Sequence, residues 1–168
     1  MNVILLIGGN NGNRLELLRG AIAGIEREIG SVISYSSVYE TEPWGFEAEM
    51  SFYNMALWVQ TELLPEEVLQ RALNLERILG RVRSGAEGYQ SRPMDIDIIL
   101  CDDLVVETSE LSVPHPRMCE RRFVLEPICQ IAPDYVHPIE KLPMSTLLTN
   151  CKDELKVKKV GEIFGLKE

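Results

Sequence analysis

Ser91 to Leu100 reads SRPMDIDIIL, and the alternation inside it decides how the rest of the chain is arranged. From Met94 to Ile98 apolar and acidic residues alternate with a period of two. That is the pattern of a strand with one buried face, so Ile96 and Ile98 turn to one side of a sheet and Asp95 and Asp97 to the other. At a rise of about 3.3 Å per residue the two aspartate backbones stand roughly 7 Å apart. Carboxylates at that spacing repel and raise each other's pKa unless a cation sits between them. A solvated strand face accounts for such a pair equally well, so its meaning depends on what surrounds it.

Upstream, Val3 to Ile7 is a short buried strand ending in Gly8 and Gly9. Asn10, Asn11 and Asn13 offer helix caps, and Leu15, Leu18, Ile22, Ile25 and Ile29 recur at three and four, describing a helix that stops at Gly30. Val32 to Tyr39 is a second strand, and Glu40 to Ser51, with Pro43 and Gly45, is a loop. A third strand, about Asn54 to Thr61, precedes a helix opened by Pro65, with Val68, Leu69, Ala72, Leu75, Glu76 and Leu79 on one stripe and Gly80 at its end. A polar loop, RVRSGAEGYQSRP, then leads into the aspartate strand.

The order β-α-β-β-α-β is that of a ferredoxin-like α+β core, an antiparallel sheet with both helices on one face and the other face free. Asp95 and Asp97 point to the free face. Beyond Leu100, Cys101 to Asp103 reads as a hairpin turn into Leu104 to Glu107, VPHPR as irregular chain, FVLEPICQIAP as a helix, and Lys156 to Val160 as a last strand. This C-terminal third elaborates the same domain.

The chain has 168 residues, 45% hydrophobic and 26% charged, which suits one globular domain over 1–168. Its net charge of −9 disfavours nucleic acid or an anionic membrane as partner, so any phosphate has to be bound locally. Cys101, Cys119, Cys129 and Cys151 form no C-x-x-C pair, which argues against zinc and for a reduced, cytoplasmic protein. The opening MNVILLIGGN lacks the basic lead and length of a signal peptide, and no apolar run reaches membrane-spanning length. All six lysines lie from Lys141 onward, whereas eight of the eleven arginines lie between Arg71 and Arg122. The middle of the chain therefore carries its positive charge on the side chain best shaped for bidentate phosphate binding.

Arg81 and Arg83 alternate after the second helix, Arg92 precedes the aspartates, and Arg117, Arg121 and Arg122 follow His115. Carboxylates that hold magnesium, beside arginines that neutralise phosphate, suit a magnesium nucleotide; a surface ion-pair network uses the same residues. Trp44, Phe46, Phe52, Tyr53 and Phe123 lie in or beside loops, either packed over the core or stacked on a flat heterocycle whose amide-like edge Asn54 reads. His115, between two prolines, donates to a phosphate or caps its loop. Gly8, Gly9 and Gly12 complete neither G-x-G-x-x-G nor a P-loop.

Taken together, LLIGGNNGNR, SSVYETEPWG, FYNMA, LERILGRVR, SRPMDIDIIL, SVPHPRM and RRFVLEPICQIAP resemble the 6-hydroxymethyl-7,8-dihydropterin pyrophosphokinases of folate biosynthesis. The resemblance implies transfer of pyrophosphate from ATP, the co-substrate, to the pterin hydroxymethyl group, with release of AMP. It implies that Asp95 and Asp97 bind two magnesium ions, and that Arg81, Arg83 and Arg92 are catalytic along with them. It places Arg81, Arg83, Arg92, His115 and Arg121 on the triphosphate, Ile98 and Ser112 on the adenine side, and Thr41, Pro43, Trp44, Phe52, Asn54 and Phe123 in the pterin pocket. It leaves the role of Glu76 open. The expected partners are small-molecule substrates, with no nucleic acid, no membrane and a monomeric protein. Two other readings share this fold class: a two-metal nucleotidyl transferase or cyclase using the same aspartates, and a non-enzymatic sensing or RNA-binding module.

Overall fold

The computed structural model describes residues 1–42, 50–80 and 93–167. Its elements are β1 (Asn2–Gly9), α1 (Arg14–Glu28), β2 (Ser31–Tyr35), β3 (Val38–Thr41), β4 (Phe52–Gln60), α2 (Pro65–Ile78), β5 (Asp95–Cys101), β6 (Val106–Glu107), β7 (Ser112–Val113), α3 (Arg122–Ile131), α4 (Met144–Asn150) and β8 (Val157–Gly161). The sheet runs β5-β1-β4-β3-β8, with β2 pairing the far half of β4, and its ladders are antiparallel. This is the ferredoxin-like core expected from the sequence, widened by β8.

Local chemistry sets the element ends. Asn13 caps α1, its side chain accepting from the Glu16 amide at 2.9 Å. The single strand expected over Val32 to Tyr39 breaks at Ser36 and Ser37. There Ser36 holds Ala56 twice, donating its own N–H to the Ala56 carbonyl and accepting the Ala56 N–H on its hydroxyl, both at 2.9 Å.

One face of the sheet, lined by Val3, Leu5, Ile7, Met55, Leu57, Val59, Ile96 and Ile98, packs against the apolar stripes of α1 and α2. The other face is not free, contrary to the sequence reading. Ile4, Leu6, Ala56, Ile99 and Leu100 meet Val124, Leu125 and Ile128 of α3 and Met144 and Leu147 of α4. The seven-residue α4 is too short to announce itself by periodicity. Strand β5 serves both cores through a bulge: Ile98 opposes Leu5 and Leu100 opposes Ile4, so Ile99 is the extra residue and both Ile99 and Leu100 enter the second core.

The expected hairpin from β5 into Leu104 to Glu107 does not form. Asp102, at φ 43°, accepts from the main-chain and side-chain nitrogens of Asn2 at 3.1 and 2.9 Å, and the chain leaves the edge to pair β6 with β7. The last strand, expected near Lys156 to Val160, is β8, seated along β3.

Candidate active site

Register alone assembles most of the site. Gly8 opposes Asp95 on one side and Asn54 on the other, and Asn54 opposes Tyr39. Asp97 lies opposite Leu6, and Phe52 opposite Thr41. Directly opposed residues share a face, so Asp95, Asp97, Asn54, Phe52, Thr41 and Tyr39 all stand on the face carrying α3. Asp97 stands level with Leu6 and Ala56, and the others lie beyond that rung on the side away from Ile4; the aspartates and Phe52 are half-buried.

Helix α3 brings two further groups to this face. Arg121 precedes it and Phe123 lies in its first turn, the guanidinium carbon 5.8 Å from the ring centroid, with Phe123 packed on the second core. Gln130, the penultimate residue of α3, anchors the helix. Its Oε1 accepts from the Ser37 amide and the Tyr39 hydroxyl, each at 2.9 Å, and its Nε2 donates to the Ser37 hydroxyl at 3.1 Å. Sequence reading did not single out this clamp, because it joins residues over 90 positions apart.

Asn54 is 6% exposed and lies over Gly8, where an added Cβ would stand 2.1 Å from its Oδ1 and 2.7 Å from the Tyr53 carbonyl oxygen. Its amide donates to the Thr41 hydroxyl at a long 3.5 Å, a weak restraint on an amide whose strong donor and acceptor capacity suits a ligand edge. Nearby, Arg14 lies 3.7 Å over the Tyr53 ring and donates to the Ser51 carbonyl at 2.9 Å, while the Ser51 hydroxyl donates to Glu40 at 2.5 Å. Nothing local marks Arg14 out, a helix-start residue like many others.

His115 is tied to β5 through its amide, which donates to the Ile99 carbonyl at 2.9 Å. Burial, and then the nearby Arg121 and Arg117, hold its pKa below the ordinary 6.5. Its Nδ1 accepts from the Arg117 amide at 3.2 Å, which assigns the neutral imidazole with Nε2–H as the donor left for a ligand. Thiol chemistry is disfavoured, since burial pushes Cys101 up to about 12 and Cys119 and Cys129 to about 11.

Not every expected residue comes together here. The Ile98 side chain is 5% exposed in the α1/α2 core, on the sheet face opposite the aspartates, so it does not reach the site. Ser112 is half-buried on β7, in the segment that His115 ties to β5. Pro43, Trp44, Arg81, Arg83 and Arg92 lie outside the described residues. Among the described residues no cluster of three or more His, Cys, Asp or Glu could hold a metal. The donor set at Asp95 and Asp97 is a pair of carboxylates on one strand face, hard oxygen ligands of the number magnesium takes when it shares its shell with phosphate and water.

The family model described as 7,8-dihydro-6-hydroxymethylpterin-pyrophosphokinase matches residues 4–133. A Porphyromonas gingivalis protein named 2-amino-4-hydroxy-6-hydroxymethyldihydropteridine pyrophosphokinase is 39% identical over 143 residues, covering 84% of this chain and 97% of that protein. A Bacillus subtilis protein of the same name is 41% identical over 128 residues, covering 76% of this chain and 75% of its own length. Among solved structures, wild-type HPPK-DHPS of Plasmodium falciparum superposes with a TM-score of 0.72 at 15% identity, over 89% of this chain and 44% of that one. That likeness is one of fold, and the chain spans less than half of the structure it matches.

Proposed function

The chain belongs to the 7,8-dihydro-6-hydroxymethylpterin-pyrophosphokinase family and is an ATP-dependent diphosphotransferase of folate biosynthesis; from that premise we propose how its residues divide the work. Asp95 and Asp97 would hold two magnesium ions, which would supply charge neutralisation at the phosphate groups. Arg121 and the Nε2–H of His115 bind the triphosphate from the α3 side, joined by Arg81, Arg83 and Arg92. Phe52 and Phe123 sandwich the pterin ring, and Asn54, with Thr41, reads its edge; Pro43 and Trp44 complete the pocket. Ser112 borders the adenine.

In this reading the protein positions and neutralises rather than attacks. The pterin hydroxyl oxygen forms a bond to the β-phosphorus and gives up its proton to Asp97 or solvent, the bond from the β-phosphorus to the α,β-bridging oxygen breaks, and AMP leaves. The observation that carries the proposal is the shared register of Asp95, Gly8 and Asn54, which puts metal-type and heterocycle-type groups on one face. No helix among the described residues is long and apolar enough to cross a membrane. We take the whole of 1–168 as one pyrophosphokinase domain, working as a cytoplasmic monomer on small molecules and, at net charge −9, not on nucleic acid.

Incubation with ATP, magnesium and hydroxymethyldihydropterin tests this. Stoichiometric AMP and pterin pyrophosphate support it; ADP as the nucleotide product, or turnover unaffected by chelating magnesium, refutes it.

A further inference from the structure

Helix α2 buries Pro65, Val68, Ala72 and Leu75, and its buried stripe ends on a carboxylate, Glu76, 3% exposed. Burying a carboxylate is costly unless it is hydrogen-bonded. Glu76 meets that demand on the neighbouring strand: its Oε1 accepts the Ile96 N–H at 2.9 Å. Ile96 is the residue between Asp95 and Asp97, and its own side chain sits with Glu76 on the helix side of the sheet, 4% exposed.

The place of this bond in the sheet matters. Among the described residues β5 pairs with β1 alone, and that ladder begins at Gly8 opposite Asp95. The first residues of β5 therefore gain sheet support from one side, at the end that carries both carboxylates. The bond from Glu76 is a restraint from another direction. Because a peptide unit is planar, fixing the amide of Ile96 orients the backbone on both sides of it, and with it the directions in which the Asp95 and Asp97 side chains leave.

We propose that Glu76 is a positioning residue, whose buried carboxylate, reaching through the helical layer to the Ile96 amide, aims Asp95 and Asp97 together at a divalent cation on the opposite face. The inference rests on the reading of those aspartates as metal ligands. Glu76 touches neither metal nor substrate. It acts through the main chain, as groups behind a metal's ligands do when they orient them, with losses of about ten- to a hundredfold in affinity on removal.

Manganese binding, followed by its electron paramagnetic resonance with a non-hydrolysable ATP analogue present, separates the roles. Glu76→Leu removes the acceptor, Glu76→Asp keeps the charge but withdraws the oxygen by one methylene, and Glu76→Gln keeps an oxygen within reach of the same N–H. Leu and Asp variants are expected to weaken manganese binding about ten- to a hundredfold and to raise the half-saturating magnesium for turnover in step. The Gln variant stays within about threefold of the parent. Should the Leu variant fail to fold, the Asp variant carries the comparison, with thermal melting as the check. A folded Asp variant with parental manganese affinity overturns the proposal and leaves Glu76 a mere edge cap. A folded Gln variant as weak as the Asp variant overturns it too, since charge and not the acceptor would then matter. Asp97→Asn is the control: parental manganese binding there defeats the metal reading itself, and this inference with it.

Discussion

Gly8→Ala is the smallest change that should separate pterin recognition from nucleotide binding. The added methyl would stand 2.1 Å from Asn54 Oδ1 and 2.7 Å from the Tyr53 carbonyl oxygen, against the 3.0 Å that Cβ atoms keep from other heavy atoms. The Asn54 side chain can swing away, and doing so moves its amide off the row that runs from Asp95 to Tyr39. The Tyr53 carbonyl is main chain in the middle of a sheet and yields only if β1 and β4 part slightly. Overpacking of this kind costs about 1–3 kcal/mol of stability. Losing one or two aligned amide hydrogen bonds to the pterin, each worth about 1 kcal/mol net, weakens pterin binding roughly five- to thirtyfold. Isothermal titration with pterin and, separately, with a magnesium ATP analogue measures both effects. The ATP analogue should bind within about threefold of the parent, because the aspartates sit on the far side of Gly8. Adding Asn54→Ala to Gly8→Ala should restore part of the lost melting temperature by removing the side-chain clash. A folded Gly8→Ala protein that binds pterin as the parent does would show that Asn54 is not placed by its contact with Gly8 and that the pocket lies elsewhere.

Three further outcomes follow from the same geometry. Asp95→Ala and Asp97→Ala should each lower the rate of AMP formation by about a thousandfold or more, several kcal/mol of charge stabilisation, while melting at or above the parent temperature because a like charge is gone; near-normal activity in either would dismiss the metal site. Phe123→Ala should weaken pterin binding by about 1–3 kcal/mol of stacking and leave the ATP analogue's binding intact; calorimetry that found equal losses for both ligands would point instead to displacement of α3 from the second core. Acidification should destabilise the fold from about pH 6.5 downward. His115 and His137 both have folded pKa values below 6.5, so the unfolded chain binds protons first and stability falls as pH drops through 6.5 toward the folded values. The His137 Nδ1 accepts from the Ile139 and Glu140 amides at 3.2 and 3.1 Å, bonds that protonation would break. Urea unfolding at pH 7.5 and 5.5 should therefore show a smaller pH effect in His137→Gln, and an equal or larger one would contradict this assignment.

The helical half of the fold was legible because its signals are local. Asn13, the stripe from Leu15 to Ile25 and the alternation at Asp95 to Ile98 each state an element within a few residues, and each stands where expected. What was not legible lies in long-range pairing. That α3 closes the second face depends on Gln130 meeting Ser37 and Tyr39. That the chain turns away after Cys101 depends on Asp102 meeting Asn2, a hundred residues earlier. Neither has a spacing to read. At the site the aspartate pair, Asn54 and Thr41 fell on the face the alternation demanded, and Ile98 did not, for the same reason: two residues apart share a face, and Ile98 shares its face with Ile96. Gly8 read only as a strand ending, although its missing side chain is what admits Asn54.

The position of the site follows from how the two cores end. A chain of net charge −9 repels a triphosphate at long range, and beyond roughly 8–10 Å salt screens what remains, so attraction has to be built at contact distance. The second core supplies the ground for it. Its apolar contacts at Val124, Leu125 and Ile128 seat α3 firmly, and with it Arg121 just before the helix and Phe123 in its first turn, the latter packed on the same core. His115 reaches the same ground by its amide bond to Ile99, inside the bulge of β5. With its pKa held below 6.5 and its Nδ1 accepting from the Arg117 amide, that imidazole offers an N–H donor without adding a further cation to the proposed magnesium site. The bulge thus has two uses at once: Ile99 fills the second core with its side chain and holds His115 with its carbonyl, which couples the packing of α3 and α4 to the imidazole proposed as a phosphate contact.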